Sequence, residues 1–285
     1  MRVIEPRRRS GVSPERKKRS KLILFLATLI LLAAITGFYL YMDNQDQEQQ
    51  NNSAEKTQQD PVVLPKKQGV LKTFTGQGFV DFYYTLAFPN TQQISEEAPI
   101  TGNEKADNHI KQLAKARGYR IQSAPVADVL VDVGNNMLLQ PRAASSWNNL
   151  KSSAANDGIE LSLTAGFRPA EEQKTIFLDR LKISGSELEE VPSGVFDSRI
   201  NQVLITTALP GYSKHHTGYT IDIGCPSDPN VVFEESVCFS WLSKNNFKNA
   251  KSSGWIPSYP EGAKKQGPDP EAWEYAWVGK DSLTK

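Results

Sequence analysis

The sequence predicts an α+β fold: a small, mainly antiparallel sheet with packed helices, preceded by one transmembrane helix and a disordered linker. Three observations predict it. Short alternating stretches such as 159–164 and 219–223 read as half-buried strands and interleave with amphipathic stretches at helical spacing, with few long parallel-type units between them. Residues 22–42 form an apolar run without a charge. Residues 43–66 are dominated by Gln, Asn and Asp and hold too little apolar surface to offset the entropy of ordering them.

The chain carries 33 basic and 32 acidic side chains, a net charge of +1, so its overall balance gives no nucleic-acid signal. The distribution is uneven. Residues 1–21 form a basic tail, with Arg7, Arg8, Arg9, Arg16, Lys17, Lys18 and Arg19 among its cations. Standing just before the apolar run, they act as an orientation signal that keeps this end in the cytoplasm. As a helix, residues 22–42 reach about 30 Å, enough to cross a bilayer core. A cleaved signal peptide is the competing reading, but its apolar core is usually only about 7–15 residues long. The run closes on Phe38, Tyr39 and Tyr41, an interfacial aromatic belt. The expectation is an uncleaved single-pass anchor in the cell membrane, with everything after Met42 outside. Residues 43–66 then serve as a flexible tether.

The ordered part divides into 67–140, an N-terminal extension, and 141–285, the core. Residues 73–88 are rich in aromatics and read as strand or short helix, with the aromatics in the core. Ala106, Ile110, Leu113 and Ala114 recur at helical spacing within 103–118, and Gly118 stops that helix. His109 lies beside the stripe as a boundary residue and not as a ligand. Residues 129–133 are a strand candidate. Pro141 opens a helix with Ala144, Trp147, Leu150 and Ala154 inward and Gly158 at its end. The strand 159–164 leads to another helix after Pro169, and an amphipathic stretch covers 195–208. After the second strand, 219–223, residues 239–250 read as a helix with Trp241, Leu242 and Phe247 inward, and 272–278 as the last strand. Cys225 and Cys238 enclose a 12-residue gap and would face an oxidising exterior. A disulfide is the preferred expectation; ligation of a metal by Cys225, three residues beyond Asp222, is the rival.

Residues 210–224 concentrate the chemistry. The chain has three histidines, and His215 and His216 both sit here. In the strand 219–223, Tyr219, Ile221 and Ile223 face one way and Thr220 and Asp222 the other. A bend at Gly218 returns Asp222 to the neighbourhood of His215, so that a nitrogen and a carboxylate point at one place, the beginning of a metal site. Extended chain would let only one of the two adjacent histidines look inward. Two protein ligands are too few for a catalytic metal, which generally has three, so another must come from elsewhere in the chain.

The pattern Ser213-x-His215-x-x-Gly218-x-Thr220-x-Asp222 resembles a signature of the VanY-like D-alanyl-D-alanine carboxypeptidases, zinc peptidases of bacterial cell walls, with Thr220 in place of the usual Ala. In that family the His and the Asp bind zinc, which carries over to His215 and Asp222. Residues 270–279 are similar to the second signature of the family. Glu271 matches its general base, and Trp273, Tyr275, Trp277, Val278 and Gly279 match its frame. Glu274 stands at the position of the third ligand, where the family has His; Ala272 and Ala276 stand where it has Pro and Arg. A carboxylate is a competent zinc ligand, and the implied set is His215, Asp222 and Glu274. Two anionic ligands weaken the ion as a Lewis acid and make the set harder, more open to manganese or iron. A third stretch, Ala165-Gly166-Phe167-Arg168-Pro169-x-x-x-Gln173, is similar to the family segment whose Arg binds substrate or stabilises the oxyanion, a role this implies for Arg168. Gln173 and Ser213 are implied as substrate contacts. The three stretches cover 165–279 and make 141–285 a VanY-like metallopeptidase core.

The resemblance implies a membrane-anchored hydrolase with one divalent metal, zinc in the family, acting on peptidoglycan stem peptides and removing their terminal D-alanine. Glu271 would serve as the base and the metal with Arg168 as the sink for the oxyanion charge. The rival from another class is a tethered peptidoglycan-binding module without a metal. Carboxypeptidase against endopeptidase action, and a D,D against an L,D bond, stay open.

Overall fold

The computed structural model describes residues 69–94, 98–126 and 129–285. The basic tail 1–21, the apolar run 22–42 and the linker 43–66 lie outside the described residues. Among the described residues no helix is long and apolar enough to cross a membrane. Gly69–Lys285 forms one compact unit. Its two ends zip together, the Lys72 amide donating to the Leu283 carbonyl at 2.8 Å and the Lys285 amide to that of Val70 at 2.9 Å.

The first half supplies helices and two small hairpins. Helix α1 (Gly76–Tyr83) settles the open reading of the aromatic stretch, because the Thr75 hydroxyl accepts from the Gly78 amide at 3.0 Å and caps it. Its Phe79 and Tyr83 are buried against Ile256, Ala276 and Val278, in line with the expected core role. Strand β1 (Thr91–Gln93) precedes α2 (Glu104–Arg117), which is capped by Asn103 and closed by Gly118 at a φ of 101°. His109 on α2 meets Asp197 at 2.6 Å at the edge of the core. Strand β2 (Ser123–Pro125) pairs with β1, and β3 (Val131–Asp132) with β4 (Leu138–Leu139). The expected strand 129–133 thus shrinks to two exposed residues, because Gly134, Asn135 and Asn136 turn the chain back in the left-handed region.

Helix α3 (Pro141–Asn156) begins at the expected proline. Strand β5 (Ser162–Ala165) starts three residues later than expected: the Glu160 amide bonds to the Ser227 hydroxyl and not to a ladder. Helices α4 (Ala170–Leu181) and α5 (Asp197–Leu204) follow, then β6 (Thr220–Gly224) and α6 (Val237–Ser252). Lys244–Phe247 leave helical geometry inside α6. The break lets the Asn246 side chain clamp Phe74, accepting from its amide at 3.0 Å and donating to its carbonyl at 2.8 Å. Strands β7 (Trp255–Tyr259) and β8 (Glu271–Trp277) complete a four-stranded sheet in the order β5-β6-β8-β7, antiparallel throughout.

One face of this sheet is the core. Tyr219, Ile221, Ile223 and Tyr275 pack with Trp147 and Leu150 of α3 and Leu242 of α6. Each such buried side chain contributes about 1.5–3 kcal/mol relative to exposure. A second cluster joins α2, α4 and α5 through Ile110, Phe177, Ile200 and Leu204. Cys225 and Cys238 form a disulfide with a Cα–Cα distance of 5.7 Å, which ties the end of β6 to the start of α6. Cys225 is therefore not a thiolate ligand. The closed loop is worth about 3 kcal/mol in the chain-entropy model.

Candidate metal centre

Sheet register builds the site. In the β6–β8 ladder Asp222 is the direct partner of Glu274, with Ile221 opposite Tyr275 and Thr220 opposite Ala276. Ile221 and Tyr275 fill the core, so the two carboxylates share the other face. Like charges directly opposite across a ladder repel and destabilise it. Here a cationic or metal-binding group faces both of them. His215 Nε2 lies 3.3 Å from Asp222 Oδ1 and 3.4 Å from Glu274 Oε2. One ligand atom from each of the three residues falls within 4.8 Å of the others.

His215 is aimed by its own turn. Lys214–Thr217 form a single 3-10 turn that ends at Gly218, whose φ is 73°. A Cβ on Gly218 would stand 2.9 Å from Leu130 Cδ2, so this position requires glycine for space as well as for conformation. The His215 ring Nδ1 is 2.7 Å from the Gly166 carbonyl. A carbonyl only accepts, so Nδ1 carries a proton and Nε2 is the nitrogen turned toward the carboxylates, the orientation of a metal-ligating histidine.

The expectation that only one of the two histidines looks inward is corrected: His215 and His216 are both buried. A 3-10 turn rotates successive side chains by about 120°, whereas extended chain alternates them by half a turn. Two neighbours can therefore bury in different directions. His216 Nε2 accepts from the Gly211 amide at 2.9 Å, and its Nδ1 donates to the Arg168 carbonyl at 2.6 Å. Both nitrogens are used, and the ring is a neutral brace between two loops. Burial drives its pKa down to about 4.

Glu271 and Glu274 are three apart in one strand, and strict alternation would put them on opposite faces. The β7–β8 register shifts between Pro257–Tyr275 and Tyr259–Glu271, and this irregularity breaks the alternation. Both carboxylates consequently line the same cavity, of about 230 Å³. Burial and the neighbouring Glu274 charge push the Glu271 carboxyl up to about 10. Glu274 is held on the low side: burial opposes its ionisation, and the His215 charge outweighs that. For His215, burial alone would lower the pKa, but Asp222 and Glu274 outweigh it and push it up to about 10. A proton and a cation thus compete for the same place. Lys214, beside His215 in sequence, is also buried. Its ammonium donates to the Ser258 carbonyl at 2.6 Å and lies 4.1 Å from the Tyr259 ring and 4.4 Å from that of Tyr83. Burial lowers its pKa to about 8 against the pull of Glu274 and Glu271.

The residues fit a divalent ion. Asp222 Oδ1 and Glu274 Oε1 are buried without a hydrogen-bond donor, a costly state for carboxylate oxygens unless a cation lies against them. One imidazole nitrogen and two carboxylates form a competent set for zinc, and for harder ions such as manganese.

The same cavity gathers the other residues expected from the sequence. Arg168, Gln173 and Ser213 line it with His215, Asp222, Glu271 and Glu274. Arg168 Nη1 donates to Gln173 Oε1 at 3.0 Å, and its Nε is 3.8 Å from Glu172 Oε1. The cavity also includes residues that sequence reasoning missed: Arg180, Thr206, Thr207 and Tyr259. For Arg180 a signal existed, since Gln173, Ile176 and Arg180 recur at helical spacing on one face of α4. A larger cleft of about 690 Å³, beside β5 and α3, holds no cluster of three metal-ligating side chains among the described residues.

Residues 136–280, just over half of the chain, match the family described as VanY, D-alanyl-D-alanine carboxypeptidase. A protein of Bacillus subtilis (strain 168) named for carboxypeptidase activity, YodJ, is 23% identical over 272 residues, which covers 92% of this chain and 91% of its own. Among solved structures, a mutant of the vancomycin-resistance D,D-pentapeptidase VanY in complex with Zn(II) is 22% identical, with 57% of this chain and 82% of that one covered and a TM-score of 0.43. VanYB in complex with D-alanine-D-alanine is 22% identical, with 58% and 81% covered and a TM-score of 0.44. DacB from Streptococcus pneumoniae D39 is 22% identical, with 56% and 74% covered and a TM-score of 0.37.

Proposed function

The chain belongs to the VanY family of D-alanyl-D-alanine carboxypeptidases, and from that membership we propose that it hydrolyses the terminal D-alanine peptide bond of peptidoglycan stem peptides, with one divalent metal held by His215, Asp222 and Glu274. The observation that carries this reading is the cross-strand pairing of Asp222 with Glu274, both turned toward Nε2 of His215.

A divalent ion held by His215, Asp222 and Glu274 would supply Lewis acidity to the scissile carbonyl and to the attacking water. The chain's own groups do the rest. Glu271 takes the proton of that water and passes it to the leaving amine. Its carboxyl is held high by burial and by the Glu274 charge. A cation held in the cluster would offset the Glu274 charge and so lower the Glu271 pKa toward that of a working base. Arg168 offers guanidinium donors to the oxyanion, and its plane is fixed by Gln173. Ser213 and Gln173 line the cavity and are assigned as substrate contacts. His215 holds its tautomer through Gly166, and Lys214 offsets part of the local negative charge. The uncharged run 22–42 behind a basic tail supports attachment to the cell membrane, with this domain on the outer side.

The test is release of D-alanine from a pentapeptide stem by full-length protein. Activity should disappear with a chelator and return with zinc or manganese. Protein with a full complement of metal that releases no D-alanine would overturn this reading, and protein that binds peptidoglycan without metal or turnover would favour the binding module.

A further inference from the structure

Arg180 is the cationic cavity residue whose chemistry the proposed reaction leaves unused. It sits in the last turn of α4 and faces the cavity with Gln173 and Ile176. Its Nη1 donates to the Thr206 carbonyl and hydroxyl, both at 3.3 Å, and to the hydroxyl of the buried Thr207. These partners are neutral. Among the described residues Arg180 has no carboxylate within ion-pair distance, whereas Arg168 has Glu172 at 3.8 Å. Its Nε and Nη2 make no hydrogen bond to the described residues. A guanidinium clamped on one side and open on the other is a preorganised fork, and the group that matches it bidentately is a carboxylate. Asp222, Glu271 and Glu274 line the same cavity and repel such an anion from their part of it.

We propose that Arg180, held by Thr206 and Thr207, forms a carboxylate subsite that orients the substrate with its anionic group away from the metal cluster. The inference rests on the peptidase reading above and extends it to substrate choice. The carboxylate can come from the free C-terminus or from a side chain upstream of the cleaved bond. Recognition of the free C-terminus would make the protein an exopeptidase.

The experiment compares wild type, Arg180→Gln and Arg180→Lys, as full-length protein, on three peptides: the stem peptide as free acid, its C-terminal amide, and a free acid lacking side-chain carboxylates. Wild type should prefer one carboxylate-bearing peptide over its neutral counterpart. Arg180→Gln should raise KM for the preferred peptide by about 10- to 100-fold, the loss of a charge-assisted pair, with a much smaller change in kcat. The preference itself should collapse, because the substrate change and the residue change remove the same contact. Arg180→Lys, a point charge without the fork, should fall between. Collapse of the acid-over-amide preference assigns the C-terminus; collapse of the side-chain preference assigns the upstream group. If Arg180→Gln discriminates among the three peptides as wild type does, or if KM rises equally for all, the subsite is disproved and Arg180 merely pins α4 to the loop at Thr206. If wild type cleaves none of them, the peptidase reading fails separately. Calorimetric binding of the same three peptides to wild type and Arg180→Gln then decides the subsite alone: about tenfold or greater weakening in the variant for a carboxylate-bearing peptide, with less for its neutral counterpart, supports it, and equal affinity of the two proteins for all three disproves it.

Discussion

The two ends of the cavity are built differently. At the acidic end Asp222 and Glu274 are fixed by ladder register, and His215 by a one-turn helix and a carbonyl. The cationic groups of the same cavity, Arg168 and Arg180, hang from a strand–helix junction and the last turn of α4, and their partners are an amide, two hydroxyls, a carbonyl and the Glu172 carboxylate. The first end is positioned by backbone and the second by long side chains. The acidic end should therefore act as a unit, in which any loss is total, while the cationic end should tune affinity and rate in steps.

The largest expected effect lies at the acidic end. His215→Ala removes the only nitrogen of the cluster, and both metal and D-alanine release should fall to background in metal analysis and steady-state assays. Glu271→Gln should separate chemistry from binding: metal retained, kcat down by about 10²–10⁴-fold, as loss of a general base implies. Arg168→Lys keeps the charge and loses the fork. A decrease in kcat/KM of about 10²–10³-fold is expected if the fork serves the oxyanion, without a change in metal content. Equal metal loss in Arg168→Lys would break the distinction between the two ends.

The smallest effect on chemistry is expected at His216, which faces away from the cluster. His216→Ala should keep the metal and cost stability, about 1–3 kcal/mol for the partners it leaves unpaired, measured by denaturant unfolding. Its pH dependence has a definite sign. Burial lowers the pKa of His216 from its ordinary value to about 4. The folded state thus favours the neutral ring, a contribution present above pH ~6.5 and lost as pH falls toward 4. In chelator-treated protein, wild type should lose more stability than His216→Ala over that interval.

How much of this was legible in the sequence differs along the chain. The strand 219–223 showed which way Asp222 faces because its alternation is clean, and Gly218 marked the bend. The burial of His216 is not legible, because extended chain would turn one of two neighbours outward and nothing local announces a single 3-10 turn. That Glu271 and Glu274 share a cavity was not legible from their spacing, since it depends on a register shift against β7, some 12 or more residues away in sequence. The cage of Tyr83 and Tyr259 around Lys214 joins three distant segments and has no sequence signature. The α+β class and its antiparallel sheet followed from strands too short and too irregularly spaced for parallel crossovers. The two-residue strand β3 did not, because its turn residues outweigh the apolar run before them.

Glu274 is where the account is most exposed, because it supplies a carboxylate at a position where the resembling family has a histidine. The most direct test is metal content of full-length wild type and Glu274→Ala, read by elemental analysis beside circular dichroism. The account predicts one divalent ion per wild-type chain and loss of that ion in Glu274→Ala with the fold intact, with recovery of binding in Glu274→His. A folded Glu274→Ala that keeps its ion at wild-type affinity would contradict it and show that the third ligand lies elsewhere.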